Sequence, residues 1–224
     1  MLEAIVFDMD WVLVDSSESN WKSFAEVFKK YWVDLKKSDM KKYLWRSIED
    51  KLKMRKKEFN MKKDIVPDDF RKEALVYQLE MMKDTLKPDQ YVLKLIQNAK
   101  SKWIKIAVAT SSSKKRAIMM LELVNVYDKL DAFVTCEDVK NSKPEPDIFL
   151  KAADLLGIRP ENCLVIEDAV NWIQAAISAW MKSLGKIWEH TDEELKIANK
   201  TFTDFKKITL LELEKIRWKS LWKF

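Results

Sequence analysis

The stretch Ala4-Ile5-Val6-Phe7-Asp8-Met9-Asp10-Trp11-Val12-Leu13-Val14-Asp15-Ser16 opens with four apolar residues in a row and then places three carboxylates within eight positions. A short unbroken apolar run suits a strand covered on both faces. Similar runs recur at 104–109, 132–134 and 163–166, with weaker ones at 182–187 and 201–205. Helical periods separate them. Ala117, Ile118, Leu121 and Val124 form one; Ile148, Phe149, Ala152, Ala153 and Leu156 form another, with Pro146 near its first turn and Gly157 just past its end. Strands alternating with helices predict an α/β protein, a Rossmann-like parallel sheet covered on both faces.

Residues 16–87 break this rhythm. Trp21, Phe24, Ala25, Phe28 and Trp32 form an apolar stripe at helical spacing, and Leu75, Leu79 and Met82 form a second. No strand is expected there. The reading is an all-helical cap domain at 16–87 inserted into a core domain made of 1–15 and 88–224.

The chain has 224 residues, 47% hydrophobic and 34% charged, which suits a folded, soluble protein. No apolar run reaches the roughly 18 residues of a membrane span, and an opening strand followed by acids does not read as a signal peptide. Two cysteines, Cys136 and Cys163, make neither a disulfide framework nor a zinc pattern, so a cytoplasmic location is expected; the chain is also expected to be a monomer. One histidine excludes mechanisms built on histidine clusters. Residues 16–87 carry 19 Lys and Arg against 13 Asp and Glu, while the remainder is nearly balanced. Interleaved acids make this a solvated helical face, with attraction of small anions as an alternative; nucleic acid is not an expected partner.

The chemistry gathers at strand ends, where open α/β sheets bind ligands. Asp8 and Asp10 follow the first strand, two residues apart, so both can face one crevice. Their mutual repulsion is relieved by a divalent cation, and hard oxygen donors favour magnesium. Glu167 and Asp168 end another strand. Thr110-Ser111-Ser112-Ser113 ends a third, where hydroxyls and amides at a helix start suit an anion. Lys143, in a proline-stiffened loop, can bring a positive charge to the same pocket.

These pieces, Asp8-x-Asp10-x-x-x-x-Asp15, Thr110-Ser111, Lys143-Pro144-x-Pro146-Asp147 and Glu167-Asp168, resemble in order the four motifs of the haloacid dehalogenase-like superfamily. The helical insert resembles the cap of the subgroup containing β-phosphoglucomutase and many sugar-phosphate phosphatases. The resemblance implies Asp8 as nucleophile forming an aspartyl-phosphate, Asp10 as general acid and base, and Thr110 and Lys143 holding phosphoryl oxygens. It implies Mg2+ on Asp8, the main-chain carbonyl of Asp10 and Asp168, with Glu167 a ligand or its supporting partner. The substrate is then a small phosphorylated metabolite, with Ser111, Arg46 and Asn20 as candidate substrate contacts; for Arg46 a solvent-exposed arginine is the alternative. β-Phosphoglucomutases carry a histidine five residues after the position of Asp15. Here that residue is Asn20, which favours a hydrolase over a mutase.

The composition holds one anomaly: 2 glycines and 10 tryptophans, where average glycine usage of about 7% predicts roughly 16. Trp11, where the family has glycine, and Trp32, Trp45, Trp103, Trp172 and Trp180 all stand where glycine is expected. Either these indoles are real and strain the protein, crowding the phosphate pocket at Trp11, or a codon that the host reads as glycine is written as tryptophan.

Overall fold

The computed structural model describes residues 1–36, 38, 48–61, 64–141 and 143–217. The chain divides into two compact units, Met1–Asp15 with Lys87–Phe224, and Ser16–Leu86. The second junction falls one residue before the expected one. No described helix is long and apolar enough to cross a membrane.

The larger unit is built on six parallel strands: β1 (Ala4–Phe7), β2 (Lys105–Thr110), β3 (Ala132–Thr135), β4 (Cys163–Glu167), β5 (Lys182–Lys186) and β6 (Lys200–Phe202), in the order β3-β2-β1-β4-β5-β6. β1 is central and fully buried. Its register pairs Phe7 with Val108 on one side and Ile166 on the other, so the residues following all three strands emerge at one edge. Side chains alternate between faces. Ala4, Val6, Ala107, Ala109, Cys163 and Val165 share one core with Ile148, Phe149, Ala152 and Ala153 of the helix Asp147–Leu156. Burying Ile148 and Phe149 contributes about 1.5–3 kcal/mol each.

Local signals place the flanking helices. Asp89 caps Gln90–Ser101 by accepting from the amides of Tyr91 at 2.7 Å and Val92 at 3.3 Å. Gly157 stops Asp147–Leu156 at φ 68°. The last strand departs from the expected span 201–205. Asp204 accepts from the amide of Lys206 and starts a 3-10 turn, so pairing ends at Phe202.

In the smaller unit, described residues form the helices Ser17–Lys29, Ile48–Glu58 and Pro67–Met82. Phe70 meets Phe24 edge-on at 5.0 Å and Phe28 at 5.2 Å in their common core. Two expectations are corrected. Trp32 is 97% exposed and lies beyond the helix end, outside the stripe. The buried line of Pro67–Met82 runs through Phe70, Ala74, Gln78 and Met82, not Leu75 and Leu79. Gln78 shifts the phase because its amide bonds inward to Ser19 and Asn20.

Candidate active site

The four groups brought together most tightly are Asp8, Lys143, Glu167 and Asp168. Lys143 Nζ donates to Asp8 Oδ1 at 2.6 Å, Glu167 Oε1 at 2.5 Å and the carbonyl of Ala109 at 3.1 Å. Its side chain is fully buried. The Phe149 and Trp172 rings lie 5.0 Å and 4.8 Å from the ammonium. All three donor bonds of the ammonium are therefore committed.

The carboxylates divide into two kinds. Glu167 is fully engaged: Lys143 holds Oε1, and Oε2 accepts from the amides of Asp168 at 2.9 Å and Ala169 at 3.5 Å. Asp8 Oδ2 and both oxygens of Asp168 are buried with no hydrogen-bond partner. Orphaned buried carboxylate oxygens are costly. One oxygen from each of Asp8, Glu167 and Asp168 lies within 4.8 Å of the others. Lys143 hydrogen-bonds two of these three carboxylates, and Asp168 has no hydrogen-bond partner for either oxygen. A divalent cation with hard oxygen preference fits this donor set.

Burial pushes the Asp8 carboxyl well above the ordinary carboxylate range; Lys143 opposes this and Glu167 adds to it. Burial, followed by the negative charges of Glu167 and Asp8, pushes Asp168 up to about 9. Burial works against a charged Lys143, but Asp8 and Glu167 outweigh it and hold the ammonium above its usual value.

The other expected residues take distinct places. Asp10 faces Arg116, which donates from Nη1 to Oδ2 and from Nη2 to Oδ1, both at 2.7 Å; Ser112 Oγ donates to Oδ2 at 3.0 Å. Thr110 is buried, and its hydroxyl accepts from the amide of Ser112 at 3.1 Å. Ser111 is exposed, and the hydroxyl that reaches Asp10 belongs to Ser112. Asn20 spends both ends of its amide inside the smaller unit, donating to Ser16 Oγ at 3.1 Å and accepting from Gln78. Arg46 lies outside the described residues.

Two residues escape a sequence reading. Arg116 follows the hydroxyl run in Ser113-Lys114-Lys115-Arg116, and that basic cluster at a helix start is the one available signal. Lys186, at the end of β5, donates to the carbonyls of Trp11 at 2.6 Å and Val12 at 3.2 Å, tying down the loop after Asp10. Burial draws its pKa below the ordinary lysine value, opposed by Asp168.

Residues 5–186 match the family model described as haloacid dehalogenase-like hydrolase. A phosphorylated carbohydrates phosphatase of Thermotoga maritima is 27% identical over 183 residues, covering 82% of this chain and 84% of its own. The fructose-1-phosphate phosphatase YqaB of Escherichia coli is 29% identical over 190 residues, covering 80% and 94%. The crystal structure of β-phosphoglucomutase from Clostridium difficile superposes with a TM-score of 0.79 at 27% identity, covering 96% of each chain.

Proposed function

The chain belongs to the haloacid dehalogenase-like hydrolase family, and from that premise we propose that it hydrolyses a small phosphate monoester, a sugar phosphate, through an aspartyl-phosphate on Asp8. The observation that carries this reading is the buried cluster in which Lys143 holds Asp8 Oδ1 while Asp8 Oδ2 and Asp168 are left without partners.

Each residue has a definable task. Lys143 fixes the Asp8 carboxylate and tempers its charge, which would otherwise repel an incoming phosphate. In the first step an oxygen of Asp8 forms a bond to phosphorus, the bond to the leaving oxygen breaks, and Asp10 gives that oxygen a proton. In the second, Asp10 takes a proton from water, the water oxygen bonds to phosphorus, and the bond to Asp8 breaks. Arg116 and Ser112 orient the Asp10 carboxyl group for both steps. Thr110, at the end of the neighbouring strand, is the hydroxyl assigned to a phosphoryl oxygen. Asp8, Asp168 and the main-chain carbonyl of Asp10 would hold Mg2+, with Glu167 supporting them through Lys143 and two amides. The cation supplies charge neutralisation of phosphate oxygens.

The test is phosphate release from a panel of sugar phosphates with and without Mg2+. Turnover that needs Mg2+ and vanishes in Asp8→Asn is expected. Full activity in Asp8→Asn refutes the nucleophile.

Likeness to β-phosphoglucomutase across 96% of both chains favours a second reading, isomerisation of β-glucose 1-phosphate to glucose 6-phosphate. Asn20 at the position of the mutase histidine weighs against it. Formation of glucose 6-phosphate with a bisphosphate primer, without matching phosphate release, selects the mutase. Tight binding of phosphate ligands without any product would mark a homologue impaired at Trp11.

A further inference from the structure

Several helices of this chain end in the same way. At Gly157, φ is 68°; its amide donates to the carbonyl of Asp154 and the next amide, of Ile158, reaches back to Ala153, both at 3.0 Å. This paired arrangement uses a left-handed residue to satisfy the last carbonyls of a helix. Asn125 ends its helix identically at φ 56°, donating to Glu122 at 3.0 Å while Val126 donates to Leu121 at 2.9 Å. Glycine and asparagine are the residues suited to that conformation.

Three more helix ends repeat the pattern with tryptophan. Trp32 has φ 61°, its amide on Lys29 at 3.0 Å and that of Val33 on Phe28 at 3.2 Å. Trp103 has φ 61°, its amide on Lys100 and that of Ile104 on Ala99, both at 3.0 Å. Trp180 has φ 59°, its amide on Ile177 at 2.9 Å and that of Met181 on Ala176 at 3.0 Å. A bulky side chain at positive φ is a steric outlier. Packing does not offset the strain, because the three indoles are 97%, 91% and 67% exposed. A fourth tryptophan, Trp11, has φ 61° in the turn after Asp10, where its amide donates to Val14 at 2.7 Å.

Six non-glycine residues have positive φ among the described residues, and four are tryptophan while two are asparagine. The same chain has only 2 glycines. We infer that the polypeptide made in its native cell carries glycine at positions 11, 32, 103 and 180, through a codon that this cell reads as glycine. The backbone argument does not extend to every expected position. Trp172 lies inside the helix Val170–Ser178 and is not among the residues with positive φ, and Trp45 lies outside the described residues.

Peptide mass spectrometry of the protein isolated from its native cells reads these positions directly. Glycine at all four is expected; tryptophan at any of them overturns the inference. The physical premise is tested separately with the recombinant chain as written. Trp32→Gly, Trp103→Gly and Trp180→Gly should each raise Tm by roughly 2–4 °C. Each should exceed its alanine counterpart, because alanine removes the same indole but keeps the Cβ that clashes at positive φ. Gly157→Ala should lower Tm. Glycine variants no more stable than the alanine ones overturn the premise.

Discussion

Arg116 grips Asp10 with both arms of its guanidinium, at 2.7 Å each, across 106 positions of sequence. Both side chains are 15% exposed. A planar fork of this kind fixes the orientation of the Asp10 carboxyl group. Arg116→Met should lower kcat about 10- to 100-fold, in line with the cost of misplacing a reacting group, with KM little changed. Arg116→Lys should restore only part of the loss, since an ammonium cannot reproduce two parallel bonds. Steady-state kinetics on both variants, with far-UV circular dichroism to establish folding, checks this.

Lys143 is the ammonium that bonds both Asp8 and Glu167 among three buried carboxylates. Lys143→Met should destabilise the metal-free protein by about 3–5 kcal/mol, as expected when one partner of a buried ion pair is removed, and abolish turnover. Denaturant unfolding gives the first and phosphate release the second. Lys143→Arg should fail to rescue, because a planar guanidinium cannot reproduce the three converging bonds that the ammonium makes to Asp8, Glu167 and the carbonyl of Ala109.

The raised pKa values of Asp8 and Asp168 predict how stability responds to pH without metal. A carboxyl whose folded pKa lies above its unfolded value contributes stability below the unfolded pKa and loses it as pH rises through the folded one. For Asp168 that window runs from about 4 to about 9. In chelator, Tm should therefore fall as pH rises across it. Added Mg2+ should raise Tm more at pH 8 than at pH 5, since it binds the ionised carboxylates. A Tm independent of pH and of Mg2+ would contradict the metal assignment.

Trp11 sits directly after Asp10 at positive φ, with its carbonyl bonded by Lys186. In the recombinant chain Trp11→Gly should increase kcat/KM, because it relieves backbone strain and removes an indole beside the proposed phosphate pocket. No gain would count against crowding there.

Phe70 is the aromatic centre of the smaller unit. Phe70→Ala should cost about 3–5 kcal/mol by opening a cavity between Phe24 and Phe28. Because that core lies wholly within Ser16–Leu86, hydrogen exchange should rise there first, while amides of the buried sheet stay protected.

The parallel sheet and the meeting of Asp8, Glu167 and Asp168 with Lys143 are legible in the sequence. Short apolar runs, helical periods and polar residues placed just beyond each run are properties of neighbouring residues. The stripe ending at Trp32 shows the limit of such signals: periodicity continues past a helix end that only backbone conformation reveals. Tertiary structure alone decided which oxygens are open. Glu167 and Asp168 are adjacent acids with identical local signals, yet one is saturated by Lys143 and two amides while the other has no partner. It also decided that Arg116 meets Asp10. Those contacts follow from strand order and register, which juxtapose residues far apart in the chain, and no local pattern encodes which side chains then fall within a hydrogen bond of each other.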